Sequence, residues 1–215
     1  MKKLIYAGVF FIALGLVSCD AGDEPSIGGT ATQKIAGEWF LQLRDEANNI
    51  VVPYSLVTTS NTAANVATEL WFVDHSFFGA QAKLTVDPNA LTFTTTDSPN
   101  IDYAAADAPD DYPVVPLGKK ETVISGSPQT ITITSGKILK DSFTAPSKAK
   151  TDSMFLQIIG KYVADTYQAT EYKITTVDGV ADTTVVWKLT GTAIEVDGPY
   201  TLSGYRRTGF REDEH

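Results

Sequence analysis

The chain has 215 residues, is 43% hydrophobic and carries a formal net charge of −9. Its length without a leader fits one domain, and its wealth of Thr, Val, Tyr and Phe favours an all-β domain. The acidic balance is the opposite of the clustered Lys and Arg that nucleic-acid phosphates require, so no nucleic-acid partner is predicted.

Residues 1–18 have the pattern of a secretory signal peptide. Lys2 and Lys3 precede an apolar run over 4–17, and Ser18 is a small residue before the predicted cut. The run is shorter than the roughly 20 residues of a membrane-spanning helix. Leu16-Val17-Ser18-Cys19 resembles the lipobox of bacterial lipoproteins, in which the cysteine carries a diacylglycerol. We therefore predict that Cys19 is lipidated and anchors the protein to a membrane.

Cys19 is the only cysteine, so no internal disulfide can form and the fold must be held by its core. Residues 19–34 are rich in Gly, Pro, Thr and acidic residues, which predicts a flexible tether. Residues 35–215 are expected to form a single β-barrel domain. The lipoprotein signal predicts a place in the cell envelope, as an outer-membrane lipoprotein facing the periplasm or the surface.

Strand signals recur along the rest of the chain. Turn residues at 87–89 and 135–136 predict two hairpins, and turn residues at 178–179 and 197–199 separate the later strands. Residues 153–163 fit both a helical stripe and a strand, and we favour a strand over 153–159 because its neighbours are strands. Short strands joined by turns predict an antiparallel sandwich or barrel. The predicted strands are 37–43, 69–73, 82–86, 91–94, 130–134, 137–139, 153–159, 171–174, 184–189, 192–196 and 201–206.

Residues 97–118 differ from the strands around them. They contain five Asp and four Pro, and repeated prolines do not suit a central strand. We predict a long acidic loop. Its carboxylates could bind calcium or cover a cavity, but the spacing fits no EF-hand and a solvated loop is the simpler interpretation, so no metal site is predicted.

Catalytic signals are sparse. The chain has two histidines, His75 and His215, and we expect the terminal His215 to be mobile. His75 in Asp74-His75-Ser76 is a weak catalytic candidate, because adjacent strand residues point to opposite faces and do not converge as a triad. No cofactor is predicted.

Gly37-Glu38-Trp39 resembles the G-x-W motif of lipocalins and other calycins. In that family the tryptophan lies across the closed end of an eight-stranded barrel, and a basic residue of the last strand packs on it. Arg206 alternates onto the same face as Leu202 and Gly204, so the resemblance implies that Arg206 stacks on Trp39. The fold expected is a roughly eight-stranded, antiparallel calycin-like barrel.

Five segments in order resemble a narrower family, the Bacteroidetes lipoproteins described as lipid-binding putative hydrolases. These segments are 37–40, 61–65, 70–71, 151–154 and 203–210. The resemblance implies a small apolar or amphipathic ligand in the barrel, and Trp71, Trp187 and Tyr172 are the candidate ligand-binding residues. The alternatives are an accessory lipoprotein that binds glycan or a protein partner through loops, and a hydrolase of unknown substrate. The oligomeric state stays open.

Overall fold

A computed structural model describes residues 29–178 and 180–215. The predicted signal peptide, Cys19 and residues 19–28 of the predicted tether lie outside the described residues. The proposed domain limits therefore stay a prediction. Residues 31–35 form turns, and Thr32 and Ile35 are buried there.

The described chain is all-β, with nine antiparallel strands and no α-helix. A short 3-10 helix, Arg211–Asp213, follows the last strand. The strands are β1 (Gly37–Arg44), β2 (Ile50–Asn61), β3 (Glu69–Asp74), β4 (Gln81–Asp87), β5 (Thr92–Pro99), β6 (Lys120–Ile124), β7 (Thr130–Thr144), β8 (Lys150–Val177) and β9 (Val180–Arg206).

Eight of the nine strands form a closed, barrel-like ring. Its order is β8-β7-β5-β4-β3-β2-β1-β9, and β9 closes it by pairing with both β1 and β8. The ninth strand, β6, pairs with β8 beyond the point where β7 leaves it. The fold prediction of a roughly eight-stranded antiparallel ring is confirmed.

Apolar and polar residues alternate along the ring strands, so that apolar side chains face the interior of the ring and polar side chains face solvent. In β4 the buried residues are Ala82, Leu84 and Val86, while Lys83 and Thr85 are exposed. Successive strand residues point to opposite faces, so this pattern fixes the register that buries one face. The inner faces of the eight ring strands meet in one hydrophobic core.

The antiparallel order gives the ring two different ends. The N-terminal end carries residues 29–36 and the loops 62–68, 88–91 and 145–149. The opposite end carries the loops 45–49 and 75–80 and the long connection 100–119. There β8 and β9 continue past the ring as a hairpin of residues 162–177 and 180–195, which we call the arm. At about 3.3 Å per residue the arm is roughly 50 Å long.

The connection 100–119 lies along the arm and is held by hydrogen bonds. The amide of Gly118 donates to the carbonyl of Ala169 at 2.8 Å, and the amide of Val185 donates to the carbonyl of Asp111 at 3.0 Å. The loop predicted for 97–118 is therefore present from residue 100 onward, while residues 97–99 complete β5.

Other local predictions have mixed outcomes. Residues 153–159 are strand, the hairpin around 87–89 forms as predicted, and β8 and β9 pair with each other on either side of the turn predicted at 178–179. The hairpin at Ser135-Gly136 is wrong, because β7 runs straight through with a register shift between Ile133 and Ser135. Gly136 is needed there for close packing, since a Cβ would lie 2.2 Å from the Phe93 ring.

The division of 184–206 into three strands is also wrong, because β9 is continuous. The predicted turn at Asp197-Gly198-Pro199 instead lies opposite a register shift between Ile158 and Gly160 of β8. Two strands, β2 and β6, were not predicted. Pro53 of β2 lies at a register shift in the β1–β2 pairing, where a missing amide donor is tolerated.

Candidate ligand-binding groove at the arm end of the ring

Side chains fill the interior of the ring. Trp39, Leu70, Phe72, Leu156 and Leu202 are each 0% exposed, and the other inward residues of the core are at most 5% exposed. A void large enough for water beside these side chains would leave part of their surface accessible. The ring is therefore packed like a protein core, and a ligand inside it would have to displace core residues.

Trp39 and Arg206 close the N-terminal end of the ring. The centre of the guanidinium lies 4.5 Å from the centroid of the Trp39 ring, a distance at which a cation–π contact stabilises by about 0.5–2 kcal/mol. Arg206 also donates to the carbonyls of Ala36 at 2.8 Å and Lys34 at 3.0 Å. The indole of Trp39 donates to Thr59 Oγ1 at 3.0 Å. The structure thus brings Gly37, Trp39 and Arg206 together as a structural cap.

Asp152 extends this cap. Its Oδ2 lies 2.7 Å from Lys140 Nζ and 3.2 Å from Arg206 Nε, and its Oδ1 accepts from the amide of Asp141 at 3.1 Å. Burial alone would raise the pKa of Asp152. The Lys140 and Asp141 hydrogen bonds and the two nearby cations outweigh burial and lower it below the ordinary 3.8.

The three candidate ligand-binding residues lie outside the ring interior. Trp71 is on β3 between the inward residues Leu70 and Phe72, so it faces outward, with Lys83 Nζ 5.9 Å from its ring. Trp187 and Tyr172 are on the arm, where they hold the connection 100–119: the Trp187 indole donates to the carbonyl of Asp110, and the Tyr172 hydroxyl donates to that of Val115.

The structure does not assemble a triad around His75. His75 is exposed, and its Nε2 lies 3.3 Å from Thr58 Oγ1. The Asp74 carboxylate turns the other way and accepts from the amides of Ser76 and Phe77 at 2.9 and 2.8 Å, so it shapes the β3–β4 loop.

His215 contacts two tyrosines. Its ring stacks on Tyr54 at 4.5 Å between centroids, and its Nε2 lies 2.5 Å from the Tyr205 hydroxyl. The nearby Ser147 donates both its amide and its hydroxyl to Asp213 and not to His215. Within residues 29–178 and 180–215, no three His, Cys, Asp or Glu are placed to hold a metal ion.

Two neighbouring hollows lie where the arm leaves the ring. The first, of about 260 Å³, is lined by Ile124, Ser125, Tyr162, Glu195, Val196 and Asp197. The second, of about 430 Å³, is lined by Asp45, Glu46, Ala47 and residues 196–200. They share Val196 and Asp197, and we call them together the arm-end groove. The second hollow alone falls in the range of about 300–1,000 Å³ typical of ligand pockets.

The floor of the groove is aromatic, and one apolar side chain lies open at its edge. Tyr162 and Tyr200 are partly buried and pack against the core, and the rings of Tyr200 and Phe78 lie 5.9 Å apart. Ile124 is 49% exposed and shares the face of Tyr162, because it pairs with Ala164, whereas Val196 pairs with Lys161 and points to the opposite face. An apolar side chain left open beside a pocket loses unfavourable contact with water when an apolar ligand covers it.

Negative charge surrounds the two tyrosine hydroxyls. Burial, reinforced by Asp197, Asp74 and Tyr200, raises the pKa of Tyr162 to about 12. The hydrogen bond from the Tyr200 hydroxyl to Asp197 Oδ1, 2.8 Å long, raises the pKa of Tyr200 as well. Both phenols are therefore neutral donors at physiological pH.

Sequence reasoning missed this groove, although one signal pointed to it. Met154, Leu156 and Ile158 alternate inward along β8, and extending the alternation reaches Gly160 and then Tyr162. Asp197 and Tyr200 were not identified as groove residues, because residues 197–199 were interpreted as a turn between two strands.

The family model described as "lipid-binding putative hydrolase" matches residues 24–211. None of the curated proteins matches the chain. In the described part of the chain, no helix is both long and apolar enough to cross a bilayer.

Proposed function

Because the chain belongs to the family described as lipid-binding putative hydrolases, we propose that it binds a small amphipathic, lipid-like ligand in the arm-end groove. The observation that carries this proposal is the contrast between two places. The inward residues of the ring are at most 5% exposed, whereas the groove combines open volume with the half-exposed side chain of Ile124.

In this proposal the acyl part of the ligand covers Ile124, and the polar head lies near Tyr162 and Tyr200. An aliphatic side chain suits the acyl chain, and tyrosines suit the polar head group. Burying one exposed aliphatic side chain stabilises by about 1.5–3 kcal/mol, and a tyrosine offers an apolar ring with a hydroxyl at its tip. The ligand thus needs no entry into the packed core.

Ile124→Asp tests the site, with Val180→Asp on the arm as a matched control. Val180 is 70% exposed and lies near the tip of the arm, outside the lining of the groove. We expect I124D to weaken binding of a fluorescent lipid by about tenfold or more, and V180D to leave it unchanged. Equal affinity of I124D and wild type, or no lipid uptake by the delipidated wild type in native mass spectrometry, would overturn the site.

The proposal also includes a location: a lipid anchor at Cys19 in the cell envelope, in the outer membrane. The signal-like pattern of residues 1–19 supports it. Cys19→Ser should move the protein from the membrane fraction to the soluble fraction and abolish the acyl mass on the N-terminal peptide. A wild-type protein whose residue 19 carries no lipid would refute the proposed anchor, but it would not bear on the proposed ligand site in the groove.

A further inference from the structure

Carboxylates dominate the polar lining of the arm-end groove. Glu195 and Asp197 line the first hollow, and Asp45, Glu46 and Asp197 line the second. Among the residues that the structure describes, neither lining includes Lys or Arg. A negatively charged head group here would therefore meet four carboxylates and lose its hydration without a compensating cation.

The cations closest in sequence to the groove are engaged elsewhere. Lys161 precedes Tyr162, but it points to the other face of β8, where its Nζ lies 2.6 Å from Asp97. Arg44 at the end of β1 donates to the carbonyl of Asn48 and to Gln42 Oε1, each at 3.0 Å. These contacts leave the carboxylates of the groove as its dominant charges.

The aromatic floor adds a second, independent preference. The faces of Tyr rings carry negative charge density, which attracts a cation within about 6 Å of the ring centre. Tyr162 lines the first hollow and Tyr200 the second. Because the Tyr200 hydroxyl donates to Asp197, it holds that carboxylate beside the rings. Aromatic faces and carboxylates together are the surroundings that proteins use for ammonium groups.

We propose that the arm-end groove selects amphiphiles whose head group carries an ammonium group. This inference rests on the proposed function and deepens it, since it names the charge of the head group at the same site. The apolar edge at Ile124 receives the alkyl chain, and Glu195 and Asp197, which share the face of Tyr162, face the ammonium.

Three probes with one alkyl chain and different heads test the selectivity: dodecyltrimethylammonium, dodecyl maltoside and dodecanoate, each below its micelle concentration. Calorimetric titration should rank them ammonium first, maltoside about tenfold weaker and dodecanoate weakest. High salt should reduce the difference in affinity between the ammonium probe and dodecanoate, because screening weakens exposed charge contacts.

Glu195→Gln and Asp197→Asn should each weaken the ammonium probe by about fivefold and leave the maltoside unchanged. Glu212→Gln, at the other end of the ring, is the matched control and should change neither. Equal binding of all three heads, or tighter binding of dodecanoate, would overturn the charge selectivity while the proposed function stands. Failure of all three to bind would instead overturn the proposed function.

Discussion

At the residue scale, Gly37 packs closely against Arg206 in the N-terminal cap. A Cβ on Gly37 would lie 2.7 Å from Arg206 Nη1, so Gly37→Ala must push the guanidinium away from Trp39 and from the carbonyls it holds. We expect a loss of about 1–3 kcal/mol in the free energy of unfolding, measured by urea denaturation.

Gly191→Ala provides the control for that substitution. No atom lies within 4 Å of a Cβ placed on Gly191, so this change should be neutral or slightly stabilising through the unfolded state. If G37A proves as stable as G191A, the contact between Arg206 and Trp39 is not part of what holds this end together.

Asp152 gives the cap a pH dependence. Its folded-state pKa is lowered, so its stabilisation is fully present above the ordinary value of 3.8 and is lost as the pH falls through the lower, folded-state pKa. Asp152→Asn should cost about 1–3 kcal/mol near neutral pH. The difference between wild type and D152N, followed by urea denaturation, should shrink as the pH falls below about 4. A difference that stays constant down to pH 2 would contradict the assigned ion pairs.

Sequence reasoning reached the cap residues and missed the groove residues for a physical reason. Trp39 and Arg206 are uncommon, bulky residues in a short motif with known geometry. Tyr162, Asp197 and Tyr200 are ordinary strand residues, and they converge only because β8 and β9 run on past the ring. That continuation depends on tertiary pairing, which local sequence does not encode.

At the element scale, the seam between β1 and β9 closes the ring. Gly204 pairs with Leu41 there, and a Cβ on Gly204 would lie 1.9 Å from the carbonyl oxygen of Phe40. Since that neighbour is backbone, Gly204→Ala has to separate the two strands. We expect a cost of about 3 kcal/mol or more, seen as a fall in the thermal midpoint or in soluble yield.

Ser203→Ala on the same strand is the control, and its effect should stay within about 0.5 kcal/mol. A G204A protein with a wild-type thermal midpoint would mean that β1 and β9 are not in direct contact at this point, and the ring would not close as described.

Strands with strong alternation or clear turns were predicted, and strands without them were not. β4 and β5 flank a turn and alternate cleanly, so their hairpin could be derived. β2 contains Pro53 and a polar stretch, and β6 is only five residues long. β9 contains Gly198 and Pro199, which usually end strands, yet a register shift in its pairing with β8 lets it continue.

At the scale of the whole molecule, the ring is a solid scaffold and the groove is an addition to one end of it. Residues 29–36 pack at the end opposite to the groove. The ring strands are bound by pairing on both sides and by a filled core, whereas the arm depends on β6 and on the connection 100–119. Exposed residues at the base of the arm, such as Ile124 and Glu195, can therefore vary with little effect on the packed core.

The central claim is that the ligand lies in the groove and not in the ring, and photo-crosslinking measures its position directly. A lipid with a diazirine on its alkyl chain would be bound, irradiated and mapped by peptide mass spectrometry. The account predicts adducts at residues 124–125, 162 and 195–200. Adducts at the inward residues Ile131, Leu156 or Leu202, which line the packed interior, would contradict it.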